Sequence, residues 1–353
     1  MRPGDFTYRL PPERIAQTPA EPRDTSRLLV VRRGGEGADG RSVPGGTRDG
    51  TFRDLPGLLE PGDLLVVNDT RVIPARLRGR KESGGRAEVL LLAREGPDRW
   101  EALVRSAKPS RPGTRVRLGE GAAAVEVLEG RGEGLYLVRL EAAGDPMEAV
   151  ESLGEVPLPP YIGRAAPDPR DREWYQTVFA RPEARGSAAA PTAGLHFTPR
   201  VLADLEARGV RRVPVTLHVG LGTFLPLRAQ RWQDHRMHRE WYQVPEATAA
   251  AVNRALEEGR RVVAVGTTVT RVLEHCGAGG RVEPGSGWTR LFLRPGHDFR
   301  VVQGLVTNFH LPETTLLLLV CAFGGTERVL EAYRHAVEAG YRFYSYGDAM
   351  VIL

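Results

Sequence analysis

A chain of 353 residues, 41% of them hydrophobic, is long enough for two or three domains and apolar enough to bury a sizeable core, which sets disorder aside. Its longest apolar run, Thr315 to Phe323, falls far short of the ~20 residues a bilayer span needs, and Met1 to Leu10 lacks a charged-then-apolar leader, so no membrane partner is expected. Cys276 and Cys321 are the only cysteines and sit in no CxxC or Cys/His cluster, which excludes a disulfide framework and an ordinary structural zinc site and points to the cytosol.

Residues 1–32 open on a turn-rich stretch with Pro11, Pro12, Pro19 and Pro22, and then a strand-like run from Ser26 to Arg32. The Gly-rich segment Gly34 to Gly50 reads as a flexible hairpin tip. Leu64 to Val67 reads as a buried strand that ends at Asn68-Asp69-Thr70-Arg71. From Ala75 to Leu140 six short alternating runs are separated by Gly and Pro turns: 75–80, 87–92, 100–105, 114–118, 124–128 and 135–140. That texture predicts an antiparallel barrel or sandwich, inserted at 71–153 and closed by a short helix over Met147 to Leu153.

Strand and helix alternate afterwards. Helices are expected over Thr198–Arg208, Pro245–Glu258, Val269–His275, Thr314–Ala322 and Glu327–Ala339, and strands over Arg212–His218, Arg261–Val265, Leu291–Leu293 and Val301–Val306. The expected fold is therefore an α/β main domain, a layered sheet with helices built from 1–70 and 154–353, interrupted by an inserted antiparallel β-barrel domain. Ligands are expected at the carboxyl ends of its strands.

The net charge of +5 is unevenly spread. Between Arg71 and Arg117 thirteen Lys/Arg face five Asp/Glu, an excess larger than that of the whole chain, so the β insert is either a solvated basic surface or a nucleic-acid footprint. Among 49 basic residues only Lys81 and Lys108 are lysine. A lysine kept in so Arg-rich a chain points to a compact ammonium, or to a proton that must leave. Asn is also scarce, confined to Asn68, Asn253 and Asn308.

Walker, HExxH, zinc-deaminase and GxSxG signatures are absent. Gly220-Leu221-Gly222 lacks the third glycine of a dinucleotide fingerprint and reads as a tight turn. His196, His218, His235, His238 and His310 sit beside turns or at strand ends, where imidazole either serves the fold or moves protons. His235-Arg-Met-His238-Arg-Glu240 lacks the further ligands that a metal would need, so no metal is expected.

Asn68 to Arg76, Pro157 to Ile162, Tyr175 to Phe179, Ala190 to Phe197, Val215 to Phe224, His235 to Tyr242, Thr307 to Glu313 and Tyr341 to Met350 are similar, in order, to strings of the S-adenosylmethionine:tRNA ribosyltransferase-isomerase family. The resemblance runs from Asp5 to Ile352 and includes the β insert, with Lys81 and Lys108 in matching strings. Three positions depart from the family pattern. Asp49-Gly50 stands where a His is common, beside an expected loop; Val269-Thr270 replaces Ser-Val; and Gln303 replaces an Asp.

The resemblance implies a transferase and isomerase of queuosine biosynthesis. In it S-adenosylmethionine is co-substrate and ribosyl donor, with no prosthetic group, and the acceptor is a tRNA carrying the aminomethyl-deazaguanine preQ1 in its anticodon loop. It implies His196, His218, Asp69 and His310 as catalytic residues. Thr192, Gly194, Gly222, Thr267, Thr268, Asn308, Glu313, His238 and Glu240 would bind S-adenosylmethionine, with the helix start at Gly266-Thr267-Thr268 suited to a carboxylate. Arg76, Arg78, Lys81, Arg105 and Lys108 would contact tRNA, the target nucleotide being splayed out. A monomer is expected. Two rivals remain: a non-catalytic RNA-binding protein, and a methyltransferase that releases S-adenosylhomocysteine.

Overall fold

The computed structural model describes residues 3–36, 42–43, 46–220, 235 and 237–353. Among them the strands are, in chain order, β1 (Arg27–Arg32), β2 (Gly35–Glu36), β3 (Ser42–Val43), β4 (Gly46–Thr51), β5 (Leu64–Asn68), β6 (Arg71–Val72), β7 (Arg76–Lys81), β8 (Arg86–Arg94), β9 (Arg99–Ser106), β10 (Arg115–Leu118), β11 (Ala123–Gly132), β12 (Leu135–Ala142), β13 (Arg185–Ser187), β14 (Arg211–Leu217), β15 (Glu240–Val244), β16 (Val262–Val265), β17 (Gly285–Thr289), β18 (Gly304–Asn308) and β19 (Ala349–Ile352). The helices are α1 (Leu55–Leu58), α2 (Pro146–Leu153), α3 (Asp171–Trp174), α4 (Pro199–Ala207), α5 (Glu246–Glu257), α6 (Thr267–Cys276), α7 (Thr315–Gly324) and α8 (Thr326–Glu338).

Nine strands form one mixed sheet in the order β17-β15-β14-β5-β16-β18-β19-β1-β4. Its centre is parallel: β14, β5, β16 and β18 run the same way, so their carboxyl ends share one edge. β5 and β16 read Leu-Leu-Val-Val-Asn and Val-Val-Ala-Val and are buried along their whole length, as strands covered on both faces must be. Two large apolar clusters lie against this sheet, one reaching α5 to α8 and one reaching α1 and α4. α7 is apolar all round and correspondingly enclosed.

The insert closes into a six-stranded antiparallel barrel, β10-β11-β12-β9-β8-β7. Leu77, Val89, Trp100, Ala102, Val116, Val125 and Val138 fill its interior, and alternate residues such as Arg78, Arg105 and Arg117 are exposed. Close approach fixes its geometry at two glycines. A Cβ on Gly79 would lie 2.2 Å from the Arg117 carbonyl, and one on Gly154 would lie 1.8 Å from that of Pro74. At Gly154 the outgoing and returning chains touch, and Arg76 and Glu155 then exchange backbone hydrogen bonds of 3.1 and 2.9 Å.

The layered sheet and the inserted barrel are both as the sequence predicts, with local differences. Leu291–Leu293 is not a strand: it is irregular chain that buries Leu293 beside the main core. The expected Val301–Val306 strand begins at Gly304 and continues to Asn308. Gly46–Gly50, read as hairpin tip, lies in β4 and pairs with β1, so Asp49 belongs to a strand and not to a loop border. There it bonds the Tyr341 hydroxyl and pairs with Arg27 and His335. Gln303 replaces an acid with a cap, its Oε1 accepting the Val262 N–H at 2.7 Å.

Candidate functional site

The shared carboxyl edge of the parallel strands carries the site. β16 runs into Gly266, whose φ of +92° suits glycine and turns the chain directly into α6. The first N–H groups of α6 have no carbonyl one turn back, so the helix start is a natural anion site. β18 delivers Asn308 and His310, and the loop before β19 delivers Tyr344 and Ser345. With Tyr161 and the Thr192 turn these segments line a cleft that opens to solvent on one side.

Thr192, Thr267, Thr268, Asn308 and His310 all line this cleft. The Asn308 amide is fixed by its Nδ2, which donates to the Tyr344 carbonyl at 2.9 Å. That leaves Oδ1 buried without a hydrogen-bond partner of normal geometry, as are Thr268 Oγ1 and Tyr344 Oη. Unpaired polar atoms at such depth are costly unless a ligand meets them. His310 Nε2 lies 2.8 Å from Thr307 Oγ1, and burial lowers its pKa to about 3.

His196 lies behind the cleft. Its Nδ1 is 2.8 Å from Ser26 Oγ and its ring stacks on Phe52. Burial depresses its pKa to about 3, while the Asn308 side chain pulls the other way. It is a neutral imidazole whose influence on a ligand would pass through Asn308.

His218 and Asp69 form a second cluster on the same edge, at the ends of β14 and β5. Thr70 Oγ1 approaches His218 Nδ1 at 2.8 Å, and Trp241 stacks on the ring. Burial takes the His218 pKa down to about 4. A Cβ on Gly186 would come within 3.1 Å of His218 Nε2, so the glycine keeps that nitrogen clear. Asp69 accepts from Thr216 Oγ1 at 2.6 Å and pairs with Arg181 at 2.7 Å. Burial raises its pKa despite both.

Other expected residues fall elsewhere. Gly194 packs against Thr177 and Phe179. Glu240 is buried in an ion pair with Arg271, with Oε1 near the Gly220 N–H. Glu313 and His238 are exposed, and Gly222 lies outside the described residues. Tyr161, Thr307, Tyr344 and Ser345 line the cleft without having been picked out, although the strings around them were. Among the described residues no three His, Cys, Asp or Glu side chains gather at metal-binding range, and no helix is long and apolar enough to cross a membrane.

On the barrel, Arg76 donates to the Leu158 carbonyl and Arg78 pairs with Glu155, both at the seam with the sheet. Arg105 sits two strands from Arg78 on the same outer face, with Glu88 between them in register. The Lys81 ammonium donates to the Lys108 carbonyl at 2.8 Å, at the end of β7 away from that seam. Exposed Arg80, Arg86 and Arg117 stand side by side, Arg80 being in register with each of the other two.

A layered sheet with its cleft at the carboxyl edge and a barrel threaded into the chain has close counterparts. The model of the family described as queuosine biosynthesis protein matches residues 4–352. A curated relative from Anaeromyxobacter sp. (strain Fw109-5), an S-adenosylmethionine:tRNA ribosyltransferase-isomerase, is 56% identical, covering 100% of this chain and 99% of its own. One of the same description from Heliobacterium modesticaldum is 52% identical over 99% and 98%. The crystal structure of an S-adenosylmethionine tRNA ribosyltransferase from Thermotoga maritima superposes with a TM-score of 0.55 at 38% identity, covering 99% of this chain and 100% of that one. The chain belongs to the queuosine biosynthesis protein family.

Proposed function

We propose that this chain acts as an S-adenosylmethionine:tRNA ribosyltransferase-isomerase, and that its cleft holds the S-adenosylmethionine. One observation supports this reading: the same half-open cleft joins a helix start and threonine hydroxyls, suited to a carboxylate, to an aromatic wall with an amide acceptor, suited to a purine. In this reading the ribose passes to the aminomethyl group of preQ1 in the tRNA anticodon loop and rearranges to an epoxycyclopentanediol, as adenine and methionine leave. The sulfonium acidifies the ribose carbon beside it, so a protein base suffices for that step.

His310, which lines the cleft, is the group able to take a proton there; His196, behind it, acts through Asn308, and His218 works from the neighbouring cluster. Thr192, Thr267, Thr268 and Asn308 hold the donor. Gly194, Glu240 and Asp69 hold the walls in place, while Glu313 and His238 take part only at the rim. Residues 71–153 act as a unit that meets the tRNA backbone through Arg76, Arg78, Lys81, Arg105 and Lys108, extended by Arg80, Arg86 and Arg117. The protein works as a monomer in the cytosol without a prosthetic group or metal.

The test is mass spectrometry of preQ1-bearing tRNA after incubation with protein and S-adenosylmethionine in the presence of chelator. The expected result is epoxyqueuosine in the tRNA with adenine and methionine released in equal amounts. S-adenosylhomocysteine as product would make it a methyltransferase, and unmodified tRNA with bound protein would make it a binding protein.

A further inference from the structure

Tyr344 has a φ of +73°, a region that an aromatic side chain occupies at a cost of ~1–3 kcal/mol. The surrounding chain imposes it. Its N–H donates to the Phe309 carbonyl at 3.2 Å, and its carbonyl accepts from Asn308 Nδ2 at 2.9 Å and from the Gly347 N–H at 3.0 Å. A Cβ on Gly347 would lie 2.5 Å from the Arg342 carbonyl, so only glycine lets the loop close this tightly. The strained backbone brings the Tyr344 ring to 4.2 Å from that of Tyr161, and its hydroxyl is buried with no partner in the wall of the cleft.

Asn308 shares that wall: Nδ2 is engaged by the Tyr344 carbonyl, so Oδ1 is the atom that faces His196, and its second lone pair is left for a ligand. A phenol donor and an amide acceptor beside aromatic faces complement one edge of adenine, where N7 accepts and the 6-amino group donates. We infer that Tyr344 is a substrate-contacting residue of the reaction, donating its hydroxyl hydrogen to adenine N7 while Asn308 Oδ1 accepts from the amino group. This rests on the functional reading above. When the ribose–adenine bond breaks, its electron pair goes to the base, which takes up one proton. The ribose carbon and the attacking amine release protons in the same turnover. Tyr344 keeps its own proton and stabilises the charge developing on the purine. Burial raises its pKa, which suits a donor that must stay neutral.

The experiment compares parent and Tyr344→Phe with S-adenosylmethionine and with its 7-deazaadenosyl analogue, following adenine or 7-deazaadenine release on preQ1-bearing tRNA. Phe keeps the ring and its packing. The expected result is a fall in kcat of about tenfold or more, equivalent to ~1.4 kcal/mol of barrier, with KM for S-adenosylmethionine within about threefold of the parent. The parent should use the deaza donor more slowly, and the ratio of the two rates should be smaller in the variant, which keeps only the penalty of the poorer leaving group. A variant at parental rate overturns the inference, as does a parent indifferent to the missing N7. A parent that releases no adenine from either donor overturns the functional reading, and this inference with it.

Discussion

Arg271 carries its guanidinium where 1% of the residue meets solvent, paired with the equally buried Glu240. Two charges at that depth tolerate burial together; removing Arg271 takes the countercharge from Glu240, at a cost of ~3–5 kcal/mol. Arg271→Met should therefore lower the unfolding free energy by about that amount, read from urea titrations. A loss under 1 kcal/mol would mean that Glu240 protonates or finds another partner without penalty. The pairing was not legible, because nothing in the spacing of Glu240 and Arg271 says that β15 will lie across α6. The histidines show the same limit. Their positions beside turns marked them as unusual, but only the fold separates His310 in the cleft wall from His196 behind it and His218 in a neighbouring cluster. Tyr344 was invisible as a site because positive φ at a non-glycine residue is imposed by the loop and leaves no sequence mark.

At the scale of elements, the barrel presents Arg80 in register with Arg86 and Arg117, like charges that Glu82 beside Arg117 offsets only in part. Removing Arg80 or Arg105 should flatten the log–log dependence of tRNA affinity on salt by about one, leaving kcat at saturating tRNA unchanged. A slope equal to the parent's in both variants would move the footprint off this face. The barrel strands were readable because a closed antiparallel sheet alternates inward Val and Leu with outward Arg, the pattern that sequence displays best. The strands missed are of another kind. β15 and β17 lie at a sheet edge and carry Glu, Gln, Ser and Gly, while β19 is four residues of apolar chain whose neighbours are distant in sequence. The insert was expected to end at Leu153, but the close approach of the next residue, Gly154, to Pro74 is a contact that no local pattern contains.

The whole molecule stores pH sensitivity in its buried imidazoles. His196, His218 and His310 have folded pKa values near 3, 4 and 3, against ~6.5 in an unfolded chain. Their contribution to stability is complete above ~6.5 and shrinks as pH falls toward the folded values, because only the unfolded chain takes up protons in that window. Each histidine adds up to ~1.4 kcal/mol per pH unit there. The melting temperature should drop steeply between about pH 6.5 and 4.5, and less steeply in His310→Gln; equal slopes would show that His310 titrates freely in the native state. The strand order has a consequence for synthesis. β1 lies between β4, which follows soon after, and β19, and the Arg27 N–H meets Asp348 across 321 residues. At ~5–20 residues per second a ribosome needs roughly 15 to 60 s to cover that distance. The barrel strands emerge early in that interval, while β1 still lacks β19 along one backbone edge and leaves the apolar run Leu28–Val31 uncovered there. On a nascent chain, that edge is where a holding chaperone, or a second copy still being translated, would first find something to grip.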